Sequence, residues 1–427
     1  MVHQKMKVVL TFFLLLCFST TSWAADWKDE FVTHLHNGAV YVQDKQGHDL
    51  LAHRIHDSFM PASIIKLATT ACALKLLGED FRFTTDFYIT PDKTLIVKGY
   101  GDPMMTSEEL AAIADELQEK GVRQVSGIIL DDSYFSPHIV IDGIEHSSNP
   151  YDALNDALLA NFSTINIRKL RNGRIESAEP QTPLTPLALE MAKKMRVGSG
   201  RVNLAHDRLK AVRYFGELLA AFLQKENVTV SNVANNIRLG LVPDNAKLIY
   251  QHHSSHNLHD VLLGMLEFSN NFTANQIFLS LGAKVYGPPA TVEKGVNVVS
   301  KFLREEVGWN HFQIAEGSGL SRRDNVTPFE MMQLVRYLEP YKELFPLKDK
   351  DQFRAKTGTL NGVNTFAGFM PVDHDGEVRF VIMINDQVPS LYKFQLAEML
   401  QRGLNGEPLG VIKNPAPRRR SQRVRRH

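Results

Sequence analysis

Ser63 and Lys66 stand three residues apart in Met60-Pro61-Ala62-Ser63-Ile64-Ile65-Lys66-Leu67-Ala68-Thr69-Thr70-Ala71-Cys72-Ala73-Leu74, an almost wholly apolar stretch. At i and i+3 of a helix the two share a face. Apolar residues on every side imply burial on every side, and lysine is rarely buried without a partner or a task. A desolvated lysine gives up its proton near neutral pH, and a serine hydroxyl beside a neutral amine is an activated nucleophile. The pair therefore points to acyl transfer. The spacing alone is weak, because Ser390-Leu391-Tyr392-Lys393 repeats it at the start of an amphipathic terminal helix, where it reads as chance.

Two further motifs bear on the same chemistry. Ser-x-Asn occurs at Ser147-Ser148-Asn149, Ser255-His256-Asn257 and Ser269-Asn270-Asn271. Only the last lies between apolar segments, where polar groups need partners such as a cleft or a helix cap supplies. Lys356-Thr357-Gly358 occurs once, at the end of a short strand, and Thr359 follows it. Its glycine lets a ligand approach the strand edge, and its lysine and threonine offer a cation and a hydroxyl to a carboxylate. His252, His253, His256 and His259 invite a metal reading, but complete no plausible ligand set, so no metal is expected. Gly99-x-Gly101 lacks the Gly-Lys-Ser/Thr of a nucleotide loop, so no cofactor is expected.

The elements around these motifs set the architecture. Strands are expected at 39–42, 50–55, 83–89, 94–97 and 125–130, and again at 352–355, 363–369 and 378–385. Helical patterns cover 108–120, 259–281 and 391–402, whereas 150–243 reads as mixed, short and polar. Strands at both ends with apolar helices inside imply one α/β domain built from 25–85 and 246–412. It is interrupted by a domain-sized insert, 86–245.

Residues 1–24 read as a secretory signal peptide cut after Ala24, with Lys5 and Lys7 before a short apolar run. No later segment is apolar enough to cross a bilayer. Of the two cysteines, Cys17 would leave with the leader, and Cys72 reads as an inert core residue. The net charge is +1. Setting aside the two lysines of the leader and the six arginines of the tail turns it to −7. The body is thus mildly acidic, and nothing suggests nucleic-acid binding. Residues 413–427 read as a disordered basic tail, with weak contact to an anionic envelope surface as one use.

In this order and setting, Ser-x-x-Lys, Ser-x-Asn and Lys-Thr-Gly resemble penicillin-binding proteins and serine β-lactamases. Gly99-Tyr100-Gly101-Asp102-Pro103, Asp131-Asp132-Ser133-Tyr134-Phe135, Ser269-Asn270-Asn271 with Ala274 and Gln276, Gly317-Ser318-Gly319-Leu320-Ser321-Arg322 and Lys356-Thr357-Gly358-Thr359-Leu360 narrow the likeness. They resemble the D-alanyl-D-alanine carboxypeptidase/endopeptidase family of the penicillin-binding protein 4 type, peptidase family S13. The likeness covers most of 30–400, and the long gap between Ser63 and Ser269 fits that family's insert. Glu316 stands where the family usually has aspartate, and Asn275 where an acidic residue is common.

The resemblance implies a β-lactamase/transpeptidase-like fold, an antiparallel sheet flanked by helices, with a large inserted α+β region. It implies Ser63 as nucleophile, Lys66 as base and Ser269 as proton relay. Asn271 would hold the substrate amide, and Lys356 and Thr357 the terminal carboxylate beside Gly358. The backbone N–H groups of Ser63 and Thr359 would hold the oxyanion. The implied partners are peptidoglycan peptides ending in or cross-linked through D-Ala, and β-lactam antibiotics, in a periplasmic setting. A serine β-lactamase and a non-catalytic penicillin- or peptidoglycan-binding protein are the alternatives.

Overall fold

The computed structural model describes residues 26–145, 149, 152–204, 207–231, 236–348 and 352–411. The expected leader and basic tail, and Ser147 and Ser148, lie outside them.

Alternating apolar residues at both ends of the chain build one sheet. β1 (Gly38–Gln43) and β2 (Asp49–His53) form a hairpin. A second cluster of strands belongs to 84–253: β3 (Thr84–Ile89), β4 (Thr94–Gly99), β5 (Gln124–Val125), β6 (Gly127–Asp131), β7 (Thr164–Lys169), β8 (Ile175–Ser177), β9 (Gly198–Asn203), β10 (Thr229–Val230), β11 (Ile237–Leu239) and β12 (Lys247–His253). β13 (Leu347–Lys348), β14 (Phe353–Leu360), β15 (Val363–Val372) and β16 (Gly376–Ile384) then rejoin the first sheet, whose order is β13-β14-β15-β16-β1-β2, antiparallel throughout.

This sheet is buried on both faces, with a period of two. Ala39, Tyr41, Ala367, Phe369, Val381 and Met383 face a core shared with helices Lys66–Leu77, Leu258–Glu267, Asn271–Tyr286, Val292–Phe302 and Pro328–Tyr337. Val40, Val42, Phe366, Phe380 and Ile382 face the other core, with the terminal helices Asp26–Thr33 and Tyr392–Leu404.

The inserted sheet has the order β11-β6-β4-β3-β12. β4, the helix Ser107–Glu119 and β6 form a parallel crossover, while β3 pairs antiparallel with β4 and β12. The expected insert limits fall inside this sheet: 86 splits β3, and 245 precedes β12. Its strands run from Thr84 to His253.

The polar reading of 150–243 missed an 18-residue helix, Arg208–Lys225. It buries Ala211, Val212, Phe215, Leu218, Leu219 and Leu223 in the insert's core. The insert also touches the first domain next to the motifs. Asn155 Nδ2 donates to Phe272 O at 3.0 Å and to Gln276 Oε1 at 2.9 Å. Asp142 accepts from Ser321 Oγ and from Arg323 Nε.

Candidate active site

The Ser63 segment enters the core as a 3-10 turn, Ala62–Ile65, which runs directly into the helix Lys66–Leu77. Residues 66–74 of that helix are all buried, as the apolar sequence requires. Gly78, at φ 81°, ends it. Cys72 is buried among these residues, and burial pushes its thiol up to about 12, so it is inert.

Lys66 is fully buried behind a partly exposed Ser63. Its Nζ lies 3.0 Å from Ser63 Oγ, 2.7 Å from Asn271 Oδ1 and 2.6 Å from Ser318 O. An amide oxygen and a backbone carbonyl can only accept. A neutral amine has two N–H donors and one lone pair. The two carbonyl-type oxygens take the donors, and the lone pair is left for the Ser63 hydroxyl. Burial brings the Lys66 amine down to about 7, against the opposing pull of Glu316 and Asp324.

Ser269 owes its position to the meeting of two helices. The helix Leu258–Glu267 ends with Ser269 in the left-handed region, φ 52°, and Asn270 N donates back to Met265 O. That is the usual glycine position of a helix C-terminus. Asn270 then caps the helix Asn271–Tyr286 by accepting from Thr273 N. Helix end and helix start thus fall on consecutive residues, which turns the Ser269 hydroxyl to Lys356 Nζ at 2.9 Å and places Asn271 at Lys66. Strain of this kind is typical of functional sites. Lys356 also donates to Thr357 O at 2.9 Å. It is buried, and desolvation first, then Lys66, Lys348 and Lys393, holds its amine well below the usual lysine value.

The Lys-Thr-Gly segment does not end its strand. β14 continues to Leu360, with Thr357 paired to Phe366 and Thr359 to Asn364. A Cβ at Gly358 would lie 2.2 Å from Thr365 Oγ1, 2.8 Å from Pro61 O and 3.0 Å from Ser63 N. Only glycine lets β14 lie against the amide of Ser63. Ser63, Lys66, Ser269, Asn271, Lys356, Thr357, Gly358 and Thr359 are thereby brought together at one edge of the sheet.

Residues that carried no motif support this site. Glu316 is wholly buried and accepts from Ser318 N, Ser318 Oγ, Gly319 N and Leu320 N, and from Asn275 Nδ2 at 2.9 Å. Asn275 Oδ1 accepts in turn from Gly317 N. The two departures from the family pattern are therefore bonded to each other, and they shape the loop whose Ser318 carbonyl binds Lys66. Burial and the Glu316 charge raise Asp324 well above the usual carboxylate range.

The other candidates separate. Ser255 bonds Glu109, and Asn257 caps the helix Leu258–Glu267. His252 Nε2 is 2.6 Å from Glu109 Oε2, His253 is exposed, and His259 is 3.8 Å from Glu343. No group of three metal-ligating side chains occurs among the described residues. Ser390 is exposed; the terminal helix is amphipathic as expected, but Lys393 lies on its buried face and touches β14 at Gly358 and Thr359. Its spacing of three, four and seven residues from Leu396, Ala397 and Leu400, which are buried with it, was the sequence signal for that burial.

Known proteins share this fold and part of this sequence. A D-alanyl-D-alanine carboxypeptidase from an Actinomadura species is 26% identical over 82% of this chain and 77% of its own length. The D-alanyl-D-alanine carboxypeptidase DacB of Haemophilus influenzae is 25% identical over 77% of this chain and 81% of its own. The crystal structure of penicillin binding protein 4 from the same organism superposes with a TM-score of 0.73, at 21% identity, over 88% of this chain and 99% of that one. The sequence pattern of one family matches residues 29–195, 199–350 and 345–402. By that match the chain belongs to the D-Ala-D-Ala carboxypeptidase 3 (S13) family.

Proposed function

We propose that this serine DD-peptidase cleaves peptidoglycan peptides at D-Ala-D-Ala, or at cross-links through D-Ala, by an acyl-enzyme on Ser63. The observation that carries the assignment is the bonding of Lys66. With both N–H donors committed to Asn271 and Ser318, its lone pair has one partner able to give a proton, the Ser63 hydroxyl.

Ser63 Oγ attacks the carbonyl between the two residues as Lys66 takes its proton. The oxyanion is held by the N–H groups of Ser63 and Thr359, each such donor being worth ~10²–10³ in rate. Ser269, hydrogen-bonded to Lys356, gives its proton to the departing amine, and the proton that Lys66 took from Ser63 is returned to Ser269, so that both groups end as they began. Lys356 and Thr357 bind the terminal carboxylate of the substrate, and Asn271 its backbone amide. Water then releases the acyl group. Penicillins offer the same carbonyl and leave a slowly hydrolysed adduct. The leader expected in the sequence would deliver the enzyme to the periplasm, where this polymer is found.

The test is mass spectrometry after benzylpenicillin, together with release of D-alanine from a D-Ala-D-Ala pentapeptide. Expected are one penicilloyl adduct, lost in Ser63→Ala, and free D-alanine from the wild type. An adduct that persists in Ser63→Ala would refute the assignment. Rapid loss of the adduct without D-alanine release would mark a β-lactamase, and an adduct without turnover of either substrate a binding protein.

A further inference from the structure

The last helix, Tyr392–Leu404, packs on the face of the sheet opposite the Ser63 helix. Yet the lysine in its first turn bonds to the strand that carries Lys356. Lys393 is 1% exposed, and its Nζ donates to Gly358 O at 2.7 Å and to Thr359 Oγ1. It makes no ion pair among the described residues. Burying an ammonium without a counter-charge is unfavourable, and an apolar side chain of similar length would fill the same space without that cost. The lysine therefore needs a compensating task.

The atoms it touches suggest one. Gly358 C=O and Thr359 N–H are the two ends of one planar trans peptide unit and point in opposite directions. When Thr359 N–H faces the oxyanion, Gly358 O faces away from it, and that is the end Lys393 binds. A cation on the carbonyl draws electron density from the amide and makes its N–H a stronger donor, as in any polarised chain of hydrogen bonds. The second bond, to Thr359 Oγ1, restrains rotation of the same peptide plane.

We infer that Lys393 is a positioning residue of the oxyanion site, holding and polarising the Gly358–Thr359 peptide from behind. The inference rests on the assignment of Thr359 N–H to the oxyanion proposed above.

The experiment compares full-length wild type with Lys393→Met, Lys393→Gln and Lys393→Arg. Folding is checked by circular dichroism, and kcat and KM are measured on the pentapeptide. The acyl carbonyl stretch of the benzylpenicilloyl-enzyme is recorded by isotope-edited infrared spectroscopy. In the neutral variants kcat and the acylation rate should fall ~10-fold, less than the ~10²–10³ for loss of a whole donor, with KM little changed. The carbonyl band should move to higher wavenumber in Met and Gln and stay near the wild-type position in Arg. An unshifted band in a folded neutral variant overturns the inference. So does a rise in KM with kcat intact. Neutral variants that fail to fold beside a normal Arg variant, or failure of all three, would assign Lys393 a purely structural task and overturn it too. Loss of the adduct in Ser63→Ala, run alongside, shows whether the underlying site reading itself holds.

Discussion

Replacing Lys66 by methionine separates its catalytic task from its energetic cost. Burial lowers the amine from 10.5 to about 7. At 1.36 kcal/mol per unit, that disfavours the folded state by about 5 kcal/mol at acid pH. The sign follows from proton counting. Between pH 7 and 10.5 the unfolded chain holds a proton that the folded protein has released. Stability therefore rises with pH across that window, and the deficit is complete only below it. Methionine matches the unbranched stem and does not titrate. It leaves Asn271 Oδ1 and Ser318 O without their donor, at roughly 1–3 kcal/mol each, so the two proteins should be of similar stability near pH 7. From pH 7 to 9 the wild type should then gain about 2 kcal/mol that the variant does not.

Urea unfolding at several pH values measures this difference directly. Acylation by benzylpenicillin supplies the other half. In the wild type it should rise with pH through about 7, falling nearly tenfold per unit below, and in Lys66→Met it should be lower by ~10²–10⁴ at every pH. Parallel stability curves for the two proteins would show that the amine is not desolvated in the way described. Wild-type acylation that is flat across pH 6–8, or a variant that acylates normally, would remove Lys66 as the base.

Gly358→Ala should slow acylation at least ~10²-fold, because its Cβ would lie 3.0 Å from Ser63 N and push β14 away from the nucleophile; stopped-flow acylation reads this. Glu316→Gln should lower the melting temperature, since a carboxamide nitrogen would face several N–H donors. In whatever fraction folds, it should move the acid limb of acylation to lower pH, because the Glu316 charge raises the Lys66 amine. Asn155→Ala should cost ~1–3 kcal/mol in urea unfolding and lower kcat several-fold, while the acid limb stays in place; it releases Phe272 O, next to Asn271, without touching Lys66.

The strands of the first sheet were legible because their apolar residues alternate, and β1, β15 and β16 start and stop within three residues of expectation. β14 was cut short because Lys356-Thr357-Gly358-Thr359 breaks the apolar pattern where the strand serves the site instead of the core. The helix Arg208–Lys225 was lost partly to Gly216, which reads as a breaker. A Cβ there would lie 2.7 Å from Ile237 Cγ2 and 3.0 Å from Leu130 Cδ1, so the glycine records close helix-to-sheet packing. The bond from Lys66 to Ser318 O could not be read at all, since a backbone acceptor leaves no trace in side-chain chemistry. Lys393 was misread for a related reason: its serine match is irrelevant, and its partners lie across the sheet.

Charge balance links these parts. Lys66, Lys356 and Lys393 are all buried, and Lys356 is held down by its own desolvation first and then by the neighbouring lysines. Against them, the fold supplies little compensation. Glu316 and, after it, Asp324 are the buried acids that act on Lys66. The empty site is therefore short of negative charge. A substrate carboxylate bound, as proposed, at Lys356 and Thr357 would supply it and favour the ammonium form of Lys356. Lys66 is held back from that carboxylate by its bonds to Asn271 and Ser318, so its own proton affinity is set chiefly by burial. In the proposed mechanism binding would therefore divide the two lysines: the carboxylate favours the cation at Lys356, and Lys66 would stay the base behind Ser63.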